Sequence, residues 1–371
     1  MSAKTPTAPQ LAQRLGLDDR PLAHALDLNL AGCRLRLESD SPGLVNGLRR
    51  YFSDFLAHGQ AGPADIIVRA IEAAAPELGL ALREKAPDPG KDKIKEEFLD
   101  LPDGGRVVRK RLTGMVFLLG DGLNLAVGPC QANDNQVVNF INSRHIQWLL
   151  DRGRLLCHAA AVANHAGGLA IAGLSGRGKS TLALHMMGLG LDFISNDRLL
   201  IGRDARGLRM EGVAKLPRIN PGTVLGTPGL QGVIPPDDLA GFAALPPDEL
   251  WRLEHKYDAY LDECFGPGRF RLGAPLDGLV VLTWRHGGGP FCLERVTAER
   301  KAQLLEAFIK SPGVFYLPPQ GQGPDMSVAA YLAMLGDCPV HELSGGADFP
   351  AAAKALHGLL PPAIPRLAYQ P

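Results

Sequence analysis

The stretch GLSGRGKST, Gly173 to Thr181, limits what this chain can fold into more than any other. It has the G-x-x-x-x-G-K-S form of a loop that wraps phosphate. Such a loop works between a strand and a helix. Its successive N–H groups must point into one hollow, and the helix adds the partial positive charge of its N-terminus. The flanks offer both elements. GLAIA leads in as a short apolar strand, and TLALHMMGLG leads out with apolar positions on one face and Gly188 and Gly190 near its end. Gly173, Gly176 and Gly178 allow the backbone angles of the curl, and Leu174, Ser175 and Arg177 complete it. Lys179 is expected to reach the β- and γ-phosphates, and the Ser180 hydroxyl, with Thr181 beside it, to join the shell of a Mg²⁺ ion. Arg177 is free to point outward, toward a phosphate acceptor. Nucleotide binding follows, but a loop of this form does not separate a kinase from an ATPase or a switch.

Composition narrows the remaining classes. The chain has 371 residues, 46% of them hydrophobic and 21% charged, enough for two globular domains with cores of their own. Lys+Arg and Asp+Glu balance at 39 each, without a long block of one sign, so no nucleic-acid partner is expected. No apolar leader and no stretch long enough for a bilayer is visible, which predicts a soluble, cytoplasmic protein without a membrane partner. Six scattered cysteines, with no C-x-x-C pair, read as small core residues rather than a disulfide framework or a zinc site.

The pattern along the chain divides near residue 150. Residues 1–150 read as an α+β domain of unknown role. CRLRLESD, Cys33 to Asp40, alternates as a half-buried strand, and PGLVNGLRRYFSDFL, Pro42 to Leu56, has helical spacing. Further strands are expected at ADIIVRAI, RVVRKRLTG and MVFLLGDGLNLAVG, with the charged REKAPDPGKDKIKEE as a solvated loop. A helix over Asn135–Gly153 closes this part. Residues 151–371 then begin with LLCHAAAVAN and GGLAIAGL, apolar runs of the kind covered on both faces. LPRINPGTVL and QGVIPPDDLAGFAALPPDEL read as ordered loops, LDGLVVLTW with PFCLERV as a hairpin, and AERKAQLLEAFIK as a helix.

A second signal lies one helix beyond the loop. FISNDRLLI, Phe193 to Ile201, ends a strand with Asn196 and Asp197, where a metal-holding or base carboxylate is expected. Asp197 also suits a plain Asx turn. Upstream, His158 opens the strand before the loop. Set between Cys157 and a run of alanines, it reads equally as a buried, hydrogen-bonded histidine.

Together these pieces resemble the catalytic domain of the HPr kinase/phosphorylase family, which carries HG before a hairpin, a G-x-x-G-x-G-K-S loop and then DD. More closely, the chain looks like the HPr-kinase-related proteins called HprK-related kinase B, through GLSGRGKSTLALHMM, FISNDRLLI, LPRINPGT and LEHKYDAYLDECFG. The strong resemblance covers roughly residues 155–285. It implies an α/β fold: a P-loop kinase domain of the HPr kinase/phosphoenolpyruvate carboxykinase-like type, preceded by the N-terminal α+β domain. It implies ATP and Mg²⁺ as cofactors and γ-phosphate transfer to a hydroxyl, with a protein Ser as first expectation and a small-molecule acceptor as an alternative. A reversible kinase/phosphorylase and a non-catalytic nucleotide-binding regulator also remain open.

By the same resemblance Asp197, His158 and Lys179 are the catalytic residues. Gly173 through Thr181 hold the nucleotide, and Ser180, Asp197 and Glu254 hold the metal. Glu254 and Lys256, in LEHKYD, fall where the family has EIRG, and they suit a solvated helix face as well. Arg218 and Asn220, in PRINPGT, either reach the phosphates or anchor a loop. Two departures stand out. The family's first Asp is Asn196 here, and an amide cannot take a proton from the acceptor hydroxyl. The basic RPGRN loop has no counterpart, which speaks against HPr itself as acceptor. Homo-oligomerisation and a pathway shared with an ATP-grasp enzyme are further expectations of the resemblance alone.

Overall fold

The computed structural model describes every residue except 1–3, 19, 58, 60–61, 88–91, 121, 247–248, 251–252, 254, 286, 320–322 and 363–371. The chain divides into two compact units, Met1–Arg152 with Pro312–Pro324, and Gly153–Ser311 with Asp325–Pro371. No described helix is long and apolar enough to cross a membrane.

The first unit is built on an eight-stranded sheet. Its strands are β1 (His24–Leu30), β2 (Cys33–Ser39), β3 (Ile66–Glu72), β4 (Arg83–Glu84), β5 (Glu96–Asp100), β6 (Arg106–Lys110), β7 (Val116–Gly120) and β8 (Leu123–Gly128), in the order β1-β2-β3-β8-β7-β6-β5-β4. β2 alternates strictly between buried and half-buried residues, as Cys33–Leu35–Leu37 against Arg34–Arg36 requires. Helix α1 (Ala8–Arg14) covers β7 and β8 through Leu11, which joins the cluster of Ile71, Val107, Val116, Leu118 and Leu125. Helices α2 (Pro42–Tyr51) and α3 (Asp134–Leu150) also pack on the sheet.

The second unit has two principal sheets. β9 (Leu155–Cys157), β13 (Leu199–Asp204), β14 (Gly207–Gly212) and β17 (Gly273–Pro275) form one, ordered β17-β14-β13-β9. β10 (Ala159–Ala163), β11 (Gly168–Gly173), β12 (Asp192–Ser195), β18 (Gly278–Leu282), β19 (Cys292–Arg295) and β20 (Val340–Ser344) form the other, ordered β12-β10-β11-β18-β20-β19. A short pair, β15 (Arg218–Ile219) and β16 (Tyr257–Asp258), stands apart from both. β10, β11 and β18 are buried along their whole length. On one face Ala159, Ala161, Ala170 and Ala172 meet Ile194, Leu199 and Ile201. On the other, Ala160, Val162, Leu169 and Ile171 meet helix α4 (Lys179–Gly188) and the helix Phe349–His357. Alanine along β10 keeps both faces thin enough for neighbours on either side.

Several expectations are corrected. LLCHAAAVAN is two strands, β9 and β10, in different sheets, with His158 at the break. LDGLVVLTW and PFCLERV are not a hairpin: β20 lies between β18 and β19, because the fully buried β18 needs a partner on each edge and finds β11 and β20. The two Pro/Gly-rich segments are partly helical, with α5 (Pro221–Gly226) and the helix Pro236–Ala243. Each starts at a proline, whose fixed φ suits a first helical turn. AERKAQLLEAFIK is helical over Ala298–Leu304, tightens to a 3₁₀ turn at Leu305–Ala307 and then becomes extended. Of the cysteines, all of them free, Cys33, Cys130 and Cys157 are buried, whereas Cys292 is exposed.

Ala161 is fully buried between Ile194, Leu199 and the facing alanines. An Ala161→Leu variant should therefore lose about 1–3 kcal/mol through overpacking, read as a lower urea midpoint at unchanged slope.

Candidate functional site

Two chain crossings between the same pair of sheets place the side chains that matter. The first crossing, at His158, leads from β9 to β10. The second, at Asn196–Asp197–Arg198, leads from β12 to β13. β13 pairs with β9, Leu199 opposite Cys157, and β10 pairs with β12, Ala161 opposite Ser195. The crossings therefore lie side by side, and His158 Nε2 comes to 3.0 Å from Asp197 Oδ1. The Ser195 hydroxyl donates to the Arg198 carbonyl at 2.6 Å and holds the second crossing in its turn. β10 also pairs with β11, Ala159 opposite Ala172, so His158 sits one step beyond that pair, level with Gly173 at the root of the loop.

A third strand-like segment completes the cluster. Ile309 bridges to Cys157, the Lys310 N–H donates to the Leu156 carbonyl, and the His158 N–H donates to the Phe308 carbonyl at 2.6 Å. Lys310 Nζ thereby reaches Asp197 Oδ2 at 3.2 Å. Asp197 lies between a histidine and a lysine, with half its side chain exposed. Burial would raise its carboxyl, but the His158 hydrogen bond and the charge and hydrogen bond of Lys310 outweigh it. They hold the group well below the usual carboxylate range.

Lys179 begins α4 and is itself buried. Its Nζ donates to the carbonyls of Gly173 at 2.8 Å and Leu174 at 3.3 Å, so the ammonium is folded back into the loop. Burial pushes its pKa down to about 8, with Asp197 acting in the opposite sense and Lys310 adding to the depression. Lys215 is depressed to about 8 in the same way, by burial first and then by Arg198, against the pull of Asp197. Two carboxylates, Asp197 and Asp258, thus act on a larger set of cations, Lys179, Lys310, Lys215, Arg198 and Arg218, a surplus of positive charge near the loop.

The loop itself is held from behind. Arg177 Nη1 donates to the Trp284 carbonyl at 2.7 Å, and the Trp284 indole N–H donates to the Arg177 carbonyl at 2.8 Å. Arg177 is therefore turned inward to a buried tryptophan, not outward to an acceptor. Gly176 and Gly178 have φ of 79° and 80°, the left-handed region that favours glycine. A Cβ on Gly178 would also fall 2.6 Å from the ring of Phe349, which stacks on His185 and meets Trp284 edge-on. Leu174 is 60% exposed on the loop, with Ser175 and Gly176 beside it at the surface.

The other candidates divide. Asn220 caps α5 by accepting from the Thr223 N–H, and Thr223 Oγ1 lies 3.0 Å from Thr181 Oγ1, so PRINPGT meets the loop through Thr223. Arg218 is turned away, paired with Asp258 at 3.3 Å on the β15–β16 ribbon, while Lys256 is exposed there. Glu254 lies outside the described residues. Asn196 has a buried side-chain oxygen with no hydrogen-bond partner. Among the described residues no group of three or more His, Cys, Asp or Glu is arranged to hold a metal. The oxygen donors at hand, the Ser180 hydroxyl, the Asp197 carboxylate and the orphaned Asn196 amide oxygen, are the hard ligands that magnesium takes. Sequence reasoning missed Lys310, Lys215 and Thr223. Lys310 lies 113 residues from Asp197 in the chain, at the end of a segment with helical spacing, so no local signal marks it.

Gly178→Ala should cost about 1–2 kcal/mol from the left-handed φ alone, plus the clash with Phe349. Adding Phe349→Leu should recover at most the steric part, leaving a residual loss in a denaturant titration of the double variant.

No protein-family model and no curated protein matches the chain. Among solved structures it is similar to one described as the structure of the Hpr(Ser) kinase/phosphatase from Coxiella burnetii. The identity is 12% and the TM-score 0.28, over 55% of this chain and 93% of that one. A likeness this distant identifies neither the fold nor the activity of the chain.

Proposed function

We propose that this chain is an ATP-dependent kinase that moves the γ-phosphate to a hydroxyl, first of all a Ser on a protein. The observation that carries the reading is the surplus of cations around Asp197 at the mouth of a strand–loop–helix turn with two left-handed glycines. Such a site binds a polyanion and stabilises charge that spreads over equatorial phosphate oxygens. Lys179, released from the Gly173 and Leu174 carbonyls, would bind the β- and γ-phosphates, and the start of α4 would add its amide N–H groups. Ser180, Asp197 and Asn196 would hold magnesium, which would supply charge neutralisation to the nucleotide phosphates.

Asp197 suits this part better than that of a strong base. A carboxylate held so firmly ionised has little pull on a hydroxyl proton, but it is a good anionic ligand and keeps His158 and Lys310 in place. The loose transition state of phosphoryl transfer asks more for positioning than for proton abstraction. The same feature, with Asn196 beside it, favours a second reading, a nucleotide-binding regulator without transfer.

ATP labelled at the γ-phosphate, with magnesium and the purified protein in a soluble extract of its own cells, separates these readings. A labelled protein band absent with Lys179→Ala is the expected result. Label confined to small molecules would make the acceptor a metabolite, and ATP binding without transfer would leave the regulator. Asp197→Asn, which removes the anionic metal ligand, should lower the transfer rate about 100-fold or more. The pH dependence has a definite sign. Lys179 is charged below about 8, and phosphate binds that form, so ATP affinity should be full from about a unit below that pKa. The fall should begin around pH 8 itself, and above it the loss should be up to about tenfold per unit.

A further inference from the structure

The parallel strands β11, β18 and β20 end level, with Gly173 opposite Leu282 and Leu282 opposite Leu343. The segments that follow them therefore leave from one edge of the sheet: the phosphate loop after β11, residues 283–285 and 287–291 after β18 and residues 345–348 after β20. Ligands of open α/β sheets gather outside such carboxyl ends. The second and third segments line an open-sided cavity of about 410 Å³, formed by residues 287–291 and 346–348.

The cavity is built rigidly. A Cβ on Gly346 would fall 1.9 Å from the Gly289 carbonyl oxygen, and one on Gly345 would fall 2.1 Å from that of Pro290, so the two turns touch backbone to backbone. It is also joined to the phosphate loop from both of its walls. Trp284, at the root of one wall, exchanges hydrogen bonds with Arg177, and Phe349, next after the other, lies against Gly178. Its lining is specific in kind. Gly287 and Gly289 expose bare peptide, since a Cβ on either would meet nothing within 4 Å, and Pro290 and Phe291 offer apolar surface. Among the described lining residues the charged side chain is Asp348, whose Oδ1 accepts from the Ala351 N–H at 3.0 Å. A carboxylate repels phosphate and accepts from hydroxyl groups.

We infer that this cavity is the nucleoside subsite, holding the base and ribose of the nucleotide whose phosphates lie on the loop from Gly173 to Thr181. The base would lie on Pro290 and Phe291 with its edge on the bare peptides of the glycine turn, and a ribose hydroxyl would donate to Asp348. The inference rests on the nucleotide reading proposed above and adds to it where the uncharged end of the ligand goes.

Calorimetric titration with ATP and, separately, with inorganic tripolyphosphate, both with magnesium, tests it on the full chain. The wild type should bind ATP at least tenfold more tightly than tripolyphosphate. Ala347→Trp, which fills the cavity, should weaken ATP at least tenfold and leave tripolyphosphate within about twofold. Phe291→Ala should shift ATP in the same direction, and it decides the matter if the larger substitution abolishes folding. Equal wild-type affinity for the two ligands, or ATP binding untouched in both variants, would overturn the subsite and spare the phosphate loop. A wild type that binds neither ligand would overturn the loop and the subsite together.

Discussion

Asp197 is held at the point where two chain crossings lie next to each other, and the rest of the site depends on that contact. β9 and β10 are consecutive but belong to different sheets, and so are β12 and β13. Because β9 pairs with β13 while β10 pairs with β12, the residue at each crossing must face the other. The extended segment at Ile309 then pairs with β9 and brings Lys310 to the far side of the same carboxylate. A carboxylate between His158 and Lys310 stays ionised, and its charge in turn favours the charged forms of Lys179 and Lys215. Removing it would leave those cations to repel one another.

The glycine-rich loop from Gly173 to Thr181 is supported by two aromatic side chains rather than by its own sequence alone. Trp284 is buried and exchanges hydrogen bonds with both ends of the Arg177 residue, its side chain and its carbonyl. Phe349 fills the space that any residue larger than glycine at position 178 would need. The loop is thereby preorganised, with little left to order when a ligand arrives. Under the proposed reading, Lys179, folded onto the Gly173 and Leu174 carbonyls, would exchange those bonds for phosphate, a side-chain movement within an otherwise fixed loop.

The strands and the glycine-rich turn between β11 and α4 were legible because their signals are local. β2 shows its alternation in consecutive residues, and the loop carries glycines at the positions where the backbone is left-handed. His158 and Asp197 were legible as candidates, each standing at the end of an apolar run. Lys310 and Lys215 were not, since nothing near them in the chain differs from an ordinary surface lysine. Arg177 was misjudged for the same reason, its partner Trp284 lying 107 residues away.

By itself, the sequence determined that a strand, a glycine-rich turn and a helix follow one another at Gly168–Gly188, since apolar spacing and glycine conformational freedom act between near neighbours. Only the tertiary structure decided that LLCHAAAVAN splits between two sheets, that β20 separates β18 from β19, and that Lys310 meets Asp197. Those outcomes come from strand pairing between distant segments. The backbone hydrogen bonds of a buried strand must be met by whichever edge the whole fold makes available, and no local pattern specifies which edge that is.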